Sequence, residues 1–290
     1  MKIGYLGPPG SYSYEVACRY AAKAAGEVEC IAMSGFSAII EGVEQGQLDN
    51  GIIPVENSTH GAVASAMDML VNLRRSMVCG EMVLDIEHCL LSLNNGMENI
   101  QYVFSHEQAL EQCRGFFSSQ YPHIELIHCA STSQACELAR KNGDTYGAVA
   151  SRAAAGLYDL AVAAQNIQDN AFNQTRFLLI GLQKTEPTGH DKTSIVFAFH
   201  DDCPGSLFNV LKAFASRRIN LTRIESRPAK HIMGKYIFYI DFSGHVADEI
   251  ITATLAEIGG QVSWLKVLGS YPAGNGRTEE LAGDQTCCVI

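Results

Sequence analysis

The sequence predicts an α/β fold over residues 1–182, followed by a smaller α+β module over residues 193–272. Three observations carry this. Short, near-continuous apolar runs alternate with helix-period segments as far as Leu182, the pattern of an α/β fold with parallel sheet. Residues 183–192 (QKTEPTGHDK) then break the pattern with Pro187, Gly189 and polar neighbours, as a linker does. Beyond the break the elements come in a different order.

The chain enters a strand at once, over 2–7, and the turn Gly7-Pro8-Pro9-Gly10 leads it into a helix over 13–25. Further strands are predicted at 51–55, 81–93, 102–105, 124–130, 146–151 and 175–182, with helices at 62–73, 108–118 and 133–142 among them. One wide sheet or two lobes would each accommodate this series. The second module reads strand 193–199, helix 206–217, strand 221–227, strand 235–242, helix 247–258 and strand 262–271. Leu207, Val210, Leu211 and Phe214 share one face of its first helix, as do Ile250, Ile251, Leu255 and Ile258 of its second. The βαββαβ order is ferredoxin-like.

Composition narrows the function. A net charge of −10 with no Lys/Arg block excludes nucleic acid and anionic membrane as natural partners. The N-terminus has no signal-peptide pattern and no apolar run is long enough to span a bilayer, so a soluble cytoplasmic protein is expected. The ten cysteines are scattered without a C-x-x-C pair, and the nine histidines show neither H-x₃-H nor HExxH spacing. Reduced thiols and no metal site are expected. Cys287-Cys288-Val289-Ile290 fits the loose prenylation pattern, but no polybasic stretch precedes it. Residues 273–290, rich in Gly and charge, read as a disordered tail.

Four turns stand at strand ends, where an open α/β sheet binds its ligands. They are Gly7-Pro8-Pro9-Gly10-Ser11-Tyr12-Ser13, Pro54-Val55-Glu56-Asn57-Ser58-Thr59-His60-Gly61, Ser105-His106-Glu107-Gln108 and Ser131-Thr132-Ser133-Gln134. Ser105 with Gln108, and Ser131 with Gln134, also match the capping box and could serve only as caps. A fifth polar segment, Asn173-Gln174-Thr175-Arg176-Phe177, precedes the apolar run Leu178–Leu182. Together they describe a cleft of neutral donors suited to a small anion held by backbone N–H groups, hydroxyls and Arg176. There is no G-x-G-x-x-G, P-loop or nucleophile elbow, which argues against a nucleotide cofactor or a serine hydrolase.

These segments, in this order, resemble the prephenate dehydratase family, with Gly61, Val63, Asp68, Leu70 and Ala109 adding to the match. In the second module Gly205-Ser206-Leu207, Asn220 to Pro228 (NLTRIESRP) and Val267 to Pro272 (VLGSYP) resemble its ACT regulatory domain. Glu107 stands where the family usually has Pro, and Ala66 where Thr is frequent. The resemblance implies a catalytic domain of two α/β lobes like a periplasmic binding protein, then a linker at 183–192 and the ACT domain. It implies decarboxylating dehydration of prephenate to phenylpyruvate, with no cofactor because aromatisation drives a redox-neutral reaction. Thr175 is expected beside the leaving hydroxyl, Arg176 on a substrate carboxylate and Phe177 against the ring. Asn57, Ser105 and Gln112 match site positions, while Ser11, Ser13, Ser58 and Thr132 are weaker substrate-binding candidates. L-Phenylalanine is expected as allosteric effector at Gly205, Ser206, Leu207, Glu225, Ser226, Arg227 and Pro228, between ACT domains paired in a homodimer or homotetramer. Arogenate dehydratase, whose substrate carries an amino group on the side chain, fits the same residues. A non-catalytic solute sensor is the competing reading from another class, and the intact Thr175-Arg176 pair argues against it.

Overall fold

The computed structural model describes residues 1–24, 26–201, 203–230 and 235–274. The expectations for Cys287-Cys288 and for most of the tail lie outside the described residues.

A first lobe is laid down by β1 (Lys2–Leu6), α1 (Tyr12–Lys23), β2 (Glu29–Met33), α2 (Phe36–Glu44), β3 (Asn50–Asn57), the short β4 (Gly61–Ala62), α3 (Ala64–Leu70) and β5 (Met77–Asp85). The chain then crosses to a second lobe. This contains β6 (Cys89–Ser92), β7 (Tyr102–His106), α4 (Glu107–Glu111), α5 (Arg114–Gln120), β8 (Glu125–Cys129), α6 (Thr132–Asn142), β9 (Tyr146–Ala150), α7 (Arg152–Leu157) and β10 (Ala161–Ala164). It returns as β11 (Gln174–Gly181), which inserts between β3 and β5. Two crossings join two α/β lobes, the two-lobed arrangement expected for residues 1–182.

The sheets are mixed where parallel sheet was expected. β2-β1-β3 run parallel, but β11 is antiparallel to both β3 and β5; in the second lobe β7 is parallel to β8 and β9, but β6 is antiparallel to β9 and β10. The antiparallel strands adjoin the crossings, where the chain enters a lobe from the cleft. The single strand expected at 81–93 is accordingly two strands in different sheets. Burial alternates through the crossing, with Leu84, Ile86 and His88 buried and Asp85 and Glu87 exposed, so the strand-like period of two runs on and does not mark it. The helix expected at 108–118 is likewise broken, into α4 and α5 around Gln112 and Cys113.

The third unit, β12 (Asp191–Ala198), α8 (Ser206–Ser216), β13 (Leu221–Pro228), β14 (Tyr236–Ser243), α9 (Glu249–Gly259) and β15 (Trp264–Pro272), forms an antiparallel sheet in the order β13-β14-β12-β15. This is the ferredoxin-like topology. Val210 and Phe214 of α8, with Ile251, Leu255 and Ile258 of α9, close a core on one face, as their spacing predicts; Ile250 is instead half exposed. The other face packs on the first lobe, where Val196, Tyr239, Leu268 and Tyr271 join the core of α2 and α3. Gly269 permits the closest approach, since a Cβ there would overlap the Val78 backbone of β5. Among the described residues no helix is long and apolar enough to cross a membrane.

Candidate active site

Asn57 ends β3 and Thr175 stands near the start of β11, and the sheet register places them opposite each other. The Asn57 Oδ1 accepts from the backbone N–H groups of Thr59 and His60, both at 3.0 Å. Backbone nitrogens can only donate, so the amide orientation of Asn57 is fixed. Its Nδ2 therefore donates to Asn173 Oδ1 at 2.8 Å and to Thr175 Oγ1 at 2.9 Å. Asn173 Nδ2 donates in turn to Gln112 Oε1 at 3.0 Å. Gln112 Nε2 lies 3.2 Å from His60 Nδ1.

The chain of polar groups continues inward. His88 Nε2 lies 2.7 Å from Gln112 Oε1, and His88 Nδ1 lies 2.8 Å from the Tyr12 Oη, itself 2.9 Å from the Glu87 carbonyl. Burial lowers the His88 pKa, against the opposing bond to Gln112, so the ring is held neutral. Burial also raises the Tyr12 pKa far above the phenol range, so that hydroxyl keeps its proton. The cluster thus draws Tyr12, Asn57 and Thr175 from the first lobe, Gln112 from the end of α4, and His88 and Asn173 from the two crossings. Tyr12, His60, His88 and Asn173 are site groups that sequence reading did not single out. His88 sits inside the segment 81–93 read as one strand, and Asn173 reads only as the lead-in to Thr175.

On the far side of the cleft the Pro9-Gly10 turn bridges the lobes. Pro9 O accepts from Ser133 Oγ and Tyr158 Oη, both at 2.8 Å, and Gly10 O accepts from Ser151 Oγ at 3.1 Å. A cavity of about 300 Å³ opens beside the cluster, lined by His60, Gln112, Asn173, Thr59, Glu111 and residues 168–170. A second hollow of about 340 Å³ along α5 and β8 contains none of the site residues.

Several expected residues lie elsewhere. Ser105 is fully buried within β7 and donates to Val149 O at 2.6 Å; His106, not Ser105, caps α4, so that capping box does not form. Ser131 does cap α6, accepting from Gln134 N at 3.0 Å, while the Gln134 side chain accepts from Ala130 N at 2.8 Å. Thr132 follows Ser131 in the first turn of α6. Ser11 caps α1, and Ser13 is buried in the first turn of that helix. Ser58 ties the two strand ends together, donating to Phe172 O at 3.0 Å and accepting from Gln174 N at 2.9 Å. Phe177 is buried in the core under α1 with Tyr5, Val16 and Ile52, an anchor for β11 with no cleft contact.

Arg176 is the clearest correction. Its guanidinium turns away from Thr175 into the third unit, donating to Glu81 Oε2 at 2.7 Å, Asp241 Oδ2 at 2.6 Å and Tyr271 Oη at 2.9 Å. Burial works against its charge, but Asp241, Tyr271 and Glu81 more than offset this and raise its pKa. Asp241 is also bonded to Ser194 Oγ at 2.5 Å, and Glu81 Oε1 to Lys192 Nζ at 2.6 Å. Strand alternation explains the turn, because consecutive side chains on a strand face opposite ways. Nearby, Arg223 Nε lies 3.3 Å from Glu56 Oε2.

Of the expected effector residues, Arg227 makes a two-pronged bond to Asp68 of α3, at 2.9 and 3.4 Å, and Lys230 joins it at 2.5 Å. Burial raises the Asp68 pKa, but these two cations outweigh it and leave the carboxyl below its ordinary range. Gly205 caps α8 at φ +90 with open space where a Cβ would point, and Ser206 and Leu207 open the helix. Glu225 is partly buried, Ser226 and Pro228 exposed. β12 and β13 run the same way beside β14, so Gly205 and Pro228 share one end of the module.

Comparison with known proteins places this geometry. A family model described as prephenate dehydratase matches residues 3–185, and one described as ACT domain matches residues 193–260. The chain is 39% identical over 272 residues to a bifunctional chorismate mutase/prephenate dehydratase of Aquifex aeolicus, covering 94% of this chain and 74% of that protein. It is 36% identical over 272 residues to a prephenate dehydratase of Methanocaldococcus jannaschii, covering 92% and 97%. The crystal structure of prephenate dehydratase in complex with L-Phe from Arthrobacter aurescens matches with a TM-score of 0.85 at 29% identity, covering 94% of this chain and 90% of that one.

Proposed function

The chain belongs to the prephenate dehydratase family, and we propose that the cluster around Thr175 is where it performs the family's reaction. The enzyme converts prephenate to phenylpyruvate, releasing CO₂ and water, in phenylalanine biosynthesis and under phenylalanine regulation. The carbon–carboxylate bond breaks and its electron pair enters the ring. The carbon–hydroxyl bond breaks with its pair leaving on oxygen, which a proton completes as water. Electrons balance within the substrate.

One observation carries the assignment of Thr175. Its Oγ1 accepts a hydrogen bond from Asn57, whose orientation is fixed by backbone, so the Thr175 hydroxyl hydrogen is left to donate outward. A donor aimed at the leaving hydroxyl stabilises the charge that develops as the C–O bond breaks. Thr175 thus orients and polarises the leaving group, and Asn57, Gln112 and Asn173 hold it in place. With Arg176 engaged by the regulatory side, the substrate carboxylates fall to neutral donors: the free N–H groups where Ser11 and Ser13 open α1 and where Thr132 opens α6. Ser105 and Phe177 support the two sheets behind the site.

Residues 1–182 act as the catalytic domain and 193–272 as the ACT domain, joined by the segment 183–192. Phenylalanine binds at the end of the ACT module where Gly205 and Ser226 lie, between domains paired in a dimer or tetramer. It inhibits by favouring a less active arrangement, as differential binding to two states requires. Measuring phenylpyruvate formation from prephenate tests the activity. Comparing kcat/KM for prephenate and arogenate on the same preparation decides the substrate, with prephenate expected to be preferred. Absence of turnover on either would return the chain to the sensor reading.

A further inference from the structure

We propose that His88, donating from Nε2 to Gln112, is a positioning residue that fixes the direction of the amide chain ending at Thr175. The inference rests on the reading of Thr175 as the donor to the leaving hydroxyl. Its basis is the direction that the backbone at Asn57 imposes on every amide between Thr175 and His88.

The anchor is the backbone at the Asn57 end. Two N–H groups fix Asn57 Oδ1, so Asn57 Nδ2 faces Asn173 and Asn173 must present Oδ1. Asn173 Nδ2 then faces Gln112, which must present Oε1. An oxygen cannot donate, so the hydrogen in the 2.7 Å contact between Gln112 and His88 sits on His88 Nε2. A neutral ring with its hydrogen on Nε2 has an unprotonated Nδ1, 2.8 Å from Tyr12 Oη, whose single hydrogen is shared between that nitrogen and the Glu87 carbonyl at 2.9 Å.

Gln112 Oε1 consequently accepts two hydrogen bonds at once, from Asn173 and His88, and Gln112 cannot flip without leaving both donors unmet. Without His88, a flip of Gln112 would oppose two amide nitrogens, and Asn173 would be free to turn its own nitrogen towards Asn57. Asn57 would then lose a partner and with it the geometry that holds Thr175. His88 touches no reacting atom; it acts through three amides.

The test combines spectroscopy with a double-mutant cycle. Nitrogen-15 NMR of the wild-type enzyme is expected to show His88 as the Nε2–H tautomer. His88→Phe is expected to lower kcat by about ten- to a hundredfold with little change in KM, the scale of a misplaced catalytic group. His88→Gln, which restores a donor towards Gln112, should recover most of that loss. In a Thr175→Val background His88→Phe should cost less than about threefold, because the group it positions is gone. A wild-type enzyme that turns over while His88→Phe costs the same in both backgrounds overturns the positioning role alone, as does an Nδ1–H tautomer. No phenylpyruvate from the wild-type protein overturns the functional reading and this proposal with it.

Discussion

Thr175 and Arg176 are consecutive residues of β11 that face opposite sides of one sheet. Thr175 Oγ1 accepts from Asn57 at 2.9 Å in the cleft, while Arg176 Nη1 donates to Asp241 Oδ2 of the ACT sheet at 2.6 Å. The ACT module therefore grips the strand that carries the hydroxyl proposed to be catalytic, one peptide unit away from it. A shift of the ACT sheet that moves Asp241 acts on β11 directly. This contact is the physical seat we propose for the two-state coupling that effector inhibition needs.

Arg176→Met leaves Asp241 buried without its cation, while Glu81 keeps Lys192. Breaking one partner of a buried pair typically costs about 3–5 kcal/mol. Denaturant unfolding is expected to show a loss of that order, together with weaker phenylalanine inhibition. Asp241→Asn, which keeps a polar partner for Arg176, should lose less. Unchanged stability in Arg176→Met would remove Arg176 from the interface account.

Gly269→Ala places a methyl group against the Val78 backbone at the junction of β15 and β5. Overpacking of this kind costs about 1–3 kcal/mol. Basal turnover should persist while phenylalanine inhibition weakens, because the contact between domains is strained and the cleft is untouched. Wild-type inhibition curves with wild-type stability would show that the contact does not transmit the effector.

The effector site is open to titration with phenylalanine. Gly205→Leu should raise the half-saturating concentration by filling the open space at the α8 cap, and Ser226→Ala should raise it by removing a hydroxyl. Asp68→Asn weakens the tie that holds Arg227 to α3 and should shift the same concentration by about fivefold or more, the lower range of allosteric coupling. Three wild-type titration curves would place the effector elsewhere.

Burial lowers the His88 pKa below its usual 6.5. The unfolded chain then binds the proton that the native state refuses, so this residue removes stability as pH falls from about 6.5 through the folded value. His88→Gln should flatten that part of the stability–pH curve relative to wild type. Identical curves between pH 5 and 7 would mean that His88 titrates normally.

Much of the fold was legible because it rests on local patterns. The 3.6-residue spacing of Val210 and Phe214, and of Ile251, Leu255 and Ile258, marked the ACT helices, and the break at Pro187 and Gly189 marked the end of the first unit. What periodicity could not reveal was a strand boundary inside an unbroken alternation of buried and exposed residues, as at Ile86–His88. The polar turns were legible, and the fold brings Asn57, Gln112 and Thr175 into one hydrogen-bonded chain through Asn173. Facing direction was not legible. Arg176 resembles a carboxylate clamp in sequence, but the partners that claim it, Glu81 and Asp241, are distant in the chain and on the opposite face. His88 escaped for a related reason: a lone histidine among apolar residues carries no motif, and its meaning lies in Tyr12 and Gln112, which only the fold brings near.

The most direct test of the central claim is the kcat for phenylpyruvate formation from prephenate in wild type and Thr175→Val. The substitution removes the hydroxyl and preserves the branched shape of the side chain. The expected result is a folded variant whose kcat is lower by at least about two orders of magnitude, the scale of a lost proton-transfer or leaving-group contact. A Thr175→Val enzyme that turns over at nearly the wild-type rate would contradict it.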